Sequence, residues 1–285
     1  MMKTIKYFFE ALIIYFFFII IKIAGLSVSR ILFSSLFKKI GPIIRSNSII
    51  KKNLNIFSNK LSEKTRNEIE NKMWSNYGKT FVEYMFLKKF RKENSHIKIE
   101  GKKILDDVYL KNKPVIFVSG HFANFELMSM EITKNKINLA TIYRPLNNFF
   151  LNPLMEYLRK KYICNNQIKK GLLGVKDCMT HLKKNCSIAL MIDQRVSEGD
   201  RIKFFGKDAH TTSLPAQLSL KFNVDVIPIF LEREENNFFR MHVNKPINSS
   251  SFKDKMELTK KLNKILEEMI SKNPNQWIWT HNRWK

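Results

Sequence analysis

PVIFVSGHFANFELMSMEIT, residues Pro114–Thr133, changes its hydrophobic period halfway along. Pro114–Ser119 is a short run of β-branched and aromatic residues, the composition of a buried strand. From Phe125 to Thr133 the pattern is helical, and Gly120 marks the turn between the two. A strand running straight into a helix is half of a βαβ unit, so this stretch sets the class of the whole chain.

The same alternation continues on both sides. Further strands are expected at Leu139–Tyr143, Ser187–Ile192 and Val224–Phe230, with a weaker one at Met241–Val243. Helices are expected near 149–161, 173–184, 214–222 and 253–271. The region Ser48–Phe90 reads as helical, with capping chemistry at Ser62, Glu63 and Thr65. The expected fold is therefore α/β, a single largely parallel sheet flanked by helices, preceded by an N-terminal apolar helix.

That leading segment carries the uninterrupted apolar run Ala11–Ile21, bounded by Glu10 and Lys22. Extended from Tyr7 to Phe37 it reaches the roughly 20 residues needed to cross a bilayer. A retained anchor in residues 1–45, spanning or lying in the interface, is expected in preference to a cleaved signal peptide. Gly41-Pro42 is expected to break the helix, leaving residues 46–285 as a single α/β domain.

Lys and Arg total 50 against 25 Asp and Glu, a net charge of +25. Such a chain is drawn to polyanions, and an anchored one meets lipid headgroups or acidic carriers before nucleic acid, so no nucleic-acid partner is expected. The excess of basic residues after the anchor places that part on the cytoplasmic side. Cys164, Cys178 and Cys186 form neither a CxxC pair nor a disulfide framework, so no metal site is expected and the thiols read as packing residues.

His121 and Glu126 stand out within the opening stretch. On one regular helix five residues are roughly 500° of rotation, which would turn the two side chains away from each other. They can face each other only if His121 sits in the turn and Glu126 in the first helical turn, with Asn124 as N-cap. Two readings are then open: a general base with its orienting carboxylate, or a polar pair in a turn.

The wider pattern resembles the bacterial lipid A biosynthesis acyltransferases. Gly120–Glu126, GHFANFE, is similar to their GHFGNWE-type block. Asn53–Tyr84, YRPLNN (Tyr143–Asn148), MIDQR (Met191–Arg195), Lys203–Phe230 and the closing WIWTHNRWK (Trp277–Lys285) follow in the family's order. Ala123 and Phe125 depart from the usual glycine and tryptophan. The resemblance implies acyl transfer from acyl carrier protein, or from a coenzyme A thioester, to a hydroxyl of a phosphorylated lipid A precursor at the cytoplasmic face of the inner membrane. No cofactor is needed for this. It further implies His121 as base, oriented by Glu126. Arg144 would bind phosphate or phosphopantetheine. Asp193 and Arg195 would lie on the ligand-binding rim, Asp193 either polarising the site or capping a turn. Arg159 would face a headgroup or form a solvated basic face. Thr211, Thr212 and Ser213 would bind an anion or cap a helix, and the C-terminal tryptophans suit a membrane interface or the core. Two rivals stay open: an acyltransferase for lysophosphatidate or another glycolipid, and a non-catalytic, membrane-tethered basic binding module.

Overall fold

The computed structural model describes residues 2–45 and 47–285. Its centre is a seven-stranded sheet: β1 (Ile97–Glu100), β2 (Ile116–Ser119), β3 (Leu139–Tyr143), β4 (Asn166–Lys169), β5 (Ser187–Met191), β8 (Val226–Arg233) and β9 (Phe239–Val243). Their spatial order is β1-β9-β8-β2-β5-β3-β4. β8, β2, β5, β3 and β4 run parallel, while β9 is antiparallel to β8 and β1 is parallel to β9. β6 (Asp200–Phe204) and β7 (Lys207–Thr211) form a separate hairpin.

β2 is the fourth of the seven strands and all its side chains are buried. The alternation of a strand splits them between two layers. Ile116 and Val118 join a core with α2 (Asn47–Phe57), α3 (Glu63–Glu83), α8 (Leu172–Lys183), α9 (Leu214–Phe222), α10 (Lys255–Lys272) and the C-terminal tryptophans. Phe117 points the other way, towards α4 (Leu87–Lys92), α5 (Lys102–Lys111) and α6 (Glu126–Lys134). Helices cover both faces, which is why the parallel strands read as continuous apolar runs.

The first helix, α1, runs Met2–Ile44 and passes through Gly41-Pro42 without ending. Its break lies at Gly25, where φ is 77°. A proline near a helix end loses one hydrogen bond, whereas a left-handed residue redirects the axis. The first half buries a stripe that includes Ala11, Phe18 and Ile21, and the second half packs on α3. There Gly78 lets the helices approach so closely that a Cβ would sit 2.2 Å from the Phe33 carbonyl oxygen.

The region read as helical, Ser48–Phe90, is divided among three helices with a 3-10 turn at Tyr84–Phe86. Ser62 caps α3 by accepting from the Thr65 amide at 3.1 Å. β1, β4, α5 and the β6–β7 hairpin lie in segments too polar or too short for a period to mark. α7 (Asn152–Tyr162) begins three residues later than the sequence pattern indicates.

Candidate active site

His121 follows the end of β2 and Asp193 follows the end of β5, its neighbour in the sheet. Ser119 is paired with Met191, so His121 and Asp193 each stand two positions beyond a matched pair. The Asp193 carboxylate accepts three hydrogen bonds: from the His121 amide at 2.8 Å, from the ring Nδ1 of His121 at 2.7 Å, and from the Trp277 indole at 2.8 Å. Burial would raise this carboxyl, but His121 and these donors outweigh it and hold it below the ordinary carboxylate range. An ionised Asp193 can only accept, so Nδ1 carries the proton and Nε2 presents a lone pair. Phe125 packs edge-on against the imidazole with ring centroids 4.6 Å apart, and the Gln194 amide lies 3.5 Å from Nε2.

Glu126 does not hold His121. Its carboxylate is engaged by Arg159, with Nε at 2.8 Å and Nη2 at 2.6 Å, and by the Tyr84 hydroxyl. The turn explains the change of partner. Ala123 adopts φ 44°, the left-handed region where glycine is at ease, and this hooked turn gives the imidazole to β5 while α6 aims Glu126 at α7. Arg159 is accordingly a partly buried ion-pair partner rather than a solvated basic face. Asn124 is not an N-cap either: that position is Phe125, and the Asn124 amide donates to Glu83 at 2.9 Å.

These groups open on a cavity of about 840 Å³ at the carboxyl ends of the strands. His121, Glu126, Arg144, Arg159, Arg195 and Thr212 all line it, while Asp193 sits behind His121. Arg144 follows β3 and Arg195 follows β5; neither forms an ion pair among the described residues, and the Arg195 Nε is buried without a hydrogen-bond partner. Thr212 accepts from the Leu214 amide at 3.3 Å in the turn leading into α9, whose N-cap is Ser213 rather than Thr212. The lining also includes the apolar side chains of Met128, Ile142, Ile163, Ala189 and Leu190.

Lys170, at the end of β4, also lines the cavity; burial and the nearby Arg144 hold its amine below the usual lysine range. Nothing in the sequence marks it, because β4 itself has no apolar run. His281 is likewise absent from the expected site residues, although a polar residue among the tail's aromatics was the signal. The His281 Nε2 accepts from the Arg195 amide at 2.9 Å, and burial pushes its pKa down to about 4, keeping it neutral. Trp277, Trp279 and Trp284 are all buried, so none of them is an interfacial anchor. The three cysteines are buried as well, and burial raises their thiols to about 11, 11 and 12 in chain order.

A family model described as bacterial lipid A biosynthesis acyltransferase matches residues 2–285. Two curated relatives are similar at 25% identity over 192 residues: a lipid A biosynthesis palmitoleoyltransferase of Escherichia coli (strain K12) and a lipid A biosynthesis acyltransferase of Shigella flexneri. The match spans 66% of this chain and 61% of each relative's length. A solved 1-acyl-sn-glycerophosphate acyltransferase of Thermotoga maritima superposes with a TM-score of 0.42 and 13% identity, over 89% of this chain and 100% of that one. A likeness of that size adds nothing to the family match.

Proposed function

Because the chain belongs to the family of bacterial lipid A biosynthesis acyltransferases, we propose that it moves a fatty acyl group from an acyl-carrier-protein thioester to a hydroxyl of a phosphorylated lipid A precursor. The observation that carries this reading is the His121–Asp193 pair beside a cavity lined by both basic and apolar side chains.

The chemistry follows from the ring's tautomer. Nε2 accepts the proton of the acceptor hydroxyl as that oxygen bonds to the thioester carbonyl carbon. The resulting imidazolium is stabilised by the ionised Asp193 beside Nδ1. Collapse of the tetrahedral intermediate breaks the C–S bond, and His121 returns its proton to the departing sulfur. The transfer is direct: the buried thiols, with raised pKa, are poor nucleophiles. Arg144, Arg195 and Lys170 receive anionic oxygens of donor or acceptor, and the apolar part of the cavity holds acyl chain. The Arg159–Glu126–Tyr84 cluster fixes the wall behind Phe125. The long apolar helix α1, of mean hydropathy 2.5 over its best window, keeps the enzyme at the membrane that holds its acceptor.

His121→Ala is expected to abolish acyl transfer while leaving the fold and membrane association unchanged. The measurement is lipid A mass spectrometry together with an in vitro assay using acyl carrier protein. Unimpaired transfer by this variant would overturn the proposal.

A further inference from the structure

α8 buries one face through Gly174, Cys178 and Leu182, spaced four apart. Leu172 and Leu173 in its first turn belong to no such stripe: they are 82% and 74% exposed. Gly174 is pressed against the end of β4, where a Cβ would stand 2.2 Å from the Lys169 carbonyl oxygen, so the turn that presents the two leucines is firmly held. Lys169, Lys170 and Lys176 flank them, against the single carboxylate of Asp177.

The topology places this pair on the same rim as the active site. β3 and β4 are parallel neighbours with Tyr143 beside Lys169, and the Lys170 amide donates to the Tyr143 carbonyl at 2.9 Å. The loop after β3 therefore emerges next to Leu172, and it carries the exposed Leu146 and Phe149. That loop is tied to the first half of α1. Tyr7 packs on Phe149 at 6.1 Å, Phe8 on Phe150 at 5.6 Å, and the Tyr15 hydroxyl donates to the Phe150 carbonyl at 2.9 Å. Exposed Phe8, Phe9, Leu12, Phe16 and Ile19 extend the surface along α1. An apolar tip ringed by lysines, continuous with an apolar helix, is complementary to a bilayer with anionic headgroups.

We infer that Leu172 and Leu173 insert into the lipid bilayer as a second membrane contact, beside the loop after β3 that is tied to α1. The two contacts hold the mouth against the membrane, so an acceptor lipid reaches His121 without leaving the bilayer. This rests on the membrane-lipid acceptor proposed above.

The test uses the full chain reconstituted in phosphatidylcholine vesicles containing phosphatidylglycerol. An environment-sensitive fluorophore is placed at Leu172→Cys, Phe16→Cys or Leu110→Cys. Leu110 is an exposed leucine near the end of α5, on the opposite rim of the sheet, and the native cysteines are too buried to take the label. Labels at 172 and 16 are expected to shift to the blue and to be quenched by spin-labelled phospholipid, with the label at 110 unaffected. Quenching at 16 but not at 172 overturns the second contact and leaves the anchor standing. Quenching at neither overturns the anchor reading as well. A label at 172 that shifts only on adding carrier protein or excess unlabelled chain assigns the patch to a protein and likewise overturns the inference. Leu172→Ser with Leu173→Ser is further expected to slow turnover of vesicle-borne acceptor roughly tenfold, as loss of about one buried leucine would. Turnover of detergent-dispersed acceptor should stay unchanged; equal turnover of this variant and the parent on vesicles speaks against the contact.

Discussion

The imidazole of His121 is held by a carboxylate that is 72 positions away in the chain, and this assignment makes separable predictions for two acidic residues. Asp193→Asn keeps the fold but loses the charge that sets the tautomer, so kcat should fall by about 10²–10⁴-fold in a transfer assay. Glu126→Gln leaves the Arg159 guanidinium without its counter-charge; besides any loss of activity, it should cost about 3 kcal/mol of stability in a denaturant titration. A Glu126→Gln protein as stable as the parent would contradict the ion pair. His281 gives a pH dependence. Its folded pKa of about 4 lies below the ordinary imidazole value, so as pH falls towards 4 the unfolded chain takes up a proton that the folded one refuses. The stability contributed at neutral pH is therefore lost between about 6.5 and 4. His281→Gln, whose side-chain carbonyl can still accept from the Arg195 amide, should flatten that slope in thermal melts.

At the scale of elements, α1 and α3 carry a contact that neither predicts alone. Glu83 of α3 is fully buried between Arg30 of α1, at 2.7 Å, and Arg233 of β8, so three elements share one ionic node. Burial would raise the Glu83 carboxyl, but the two guanidiniums overcome this and keep it ionised. The helices can reach this node only because Gly78 lies against the Phe33 carbonyl. Gly78→Ala should push them apart at a cost of about 1–3 kcal/mol, seen as a lower melting temperature and faster proteolysis of the α1–α3 region. Helix α3 itself was legible in the sequence, through its cap at Ser62 and its apolar spacing. Its contact surface was not, since Glu83 and Arg233 are 150 residues apart and an Arg–Glu pair leaves no periodic trace.

Over the whole molecule, the charge of +25 stays largely solvated, with most lysines on the surface. If docking of an acidic carrier is steered by that field, kcat/KM with acyl carrier protein should fall steeply as ionic strength rises, because exposed charges are screened within about 10 Å at 0.1 M salt. A flat salt profile would assign the excess charge to composition alone. The C-terminal tail closes the molecule: Asn53 donates to the Trp279 and His281 carbonyls at 2.8 Å, and buried Arg283 reaches the His210 carbonyl and the Thr211 hydroxyl. The tail is thereby both core and cavity wall.

The sequence by itself determined the class of fold, the long apolar first helix and the position of His121 in a strand-to-helix turn. These follow from local periodicity and turn chemistry, which a few neighbouring residues specify. The ordered blocks also carried the family. Only the tertiary structure decided the partner of His121. Glu126 is near in sequence but is captured by Arg159, whereas Asp193 is far in sequence but lies on the adjacent strand in matched register. Pairing of parallel strands is a non-local choice, fixed by how two helical layers cover the sheet, and Asp193, which in MIDQR reads equally as a polarising group or a turn cap, becomes the carboxylate that holds the His121 ring.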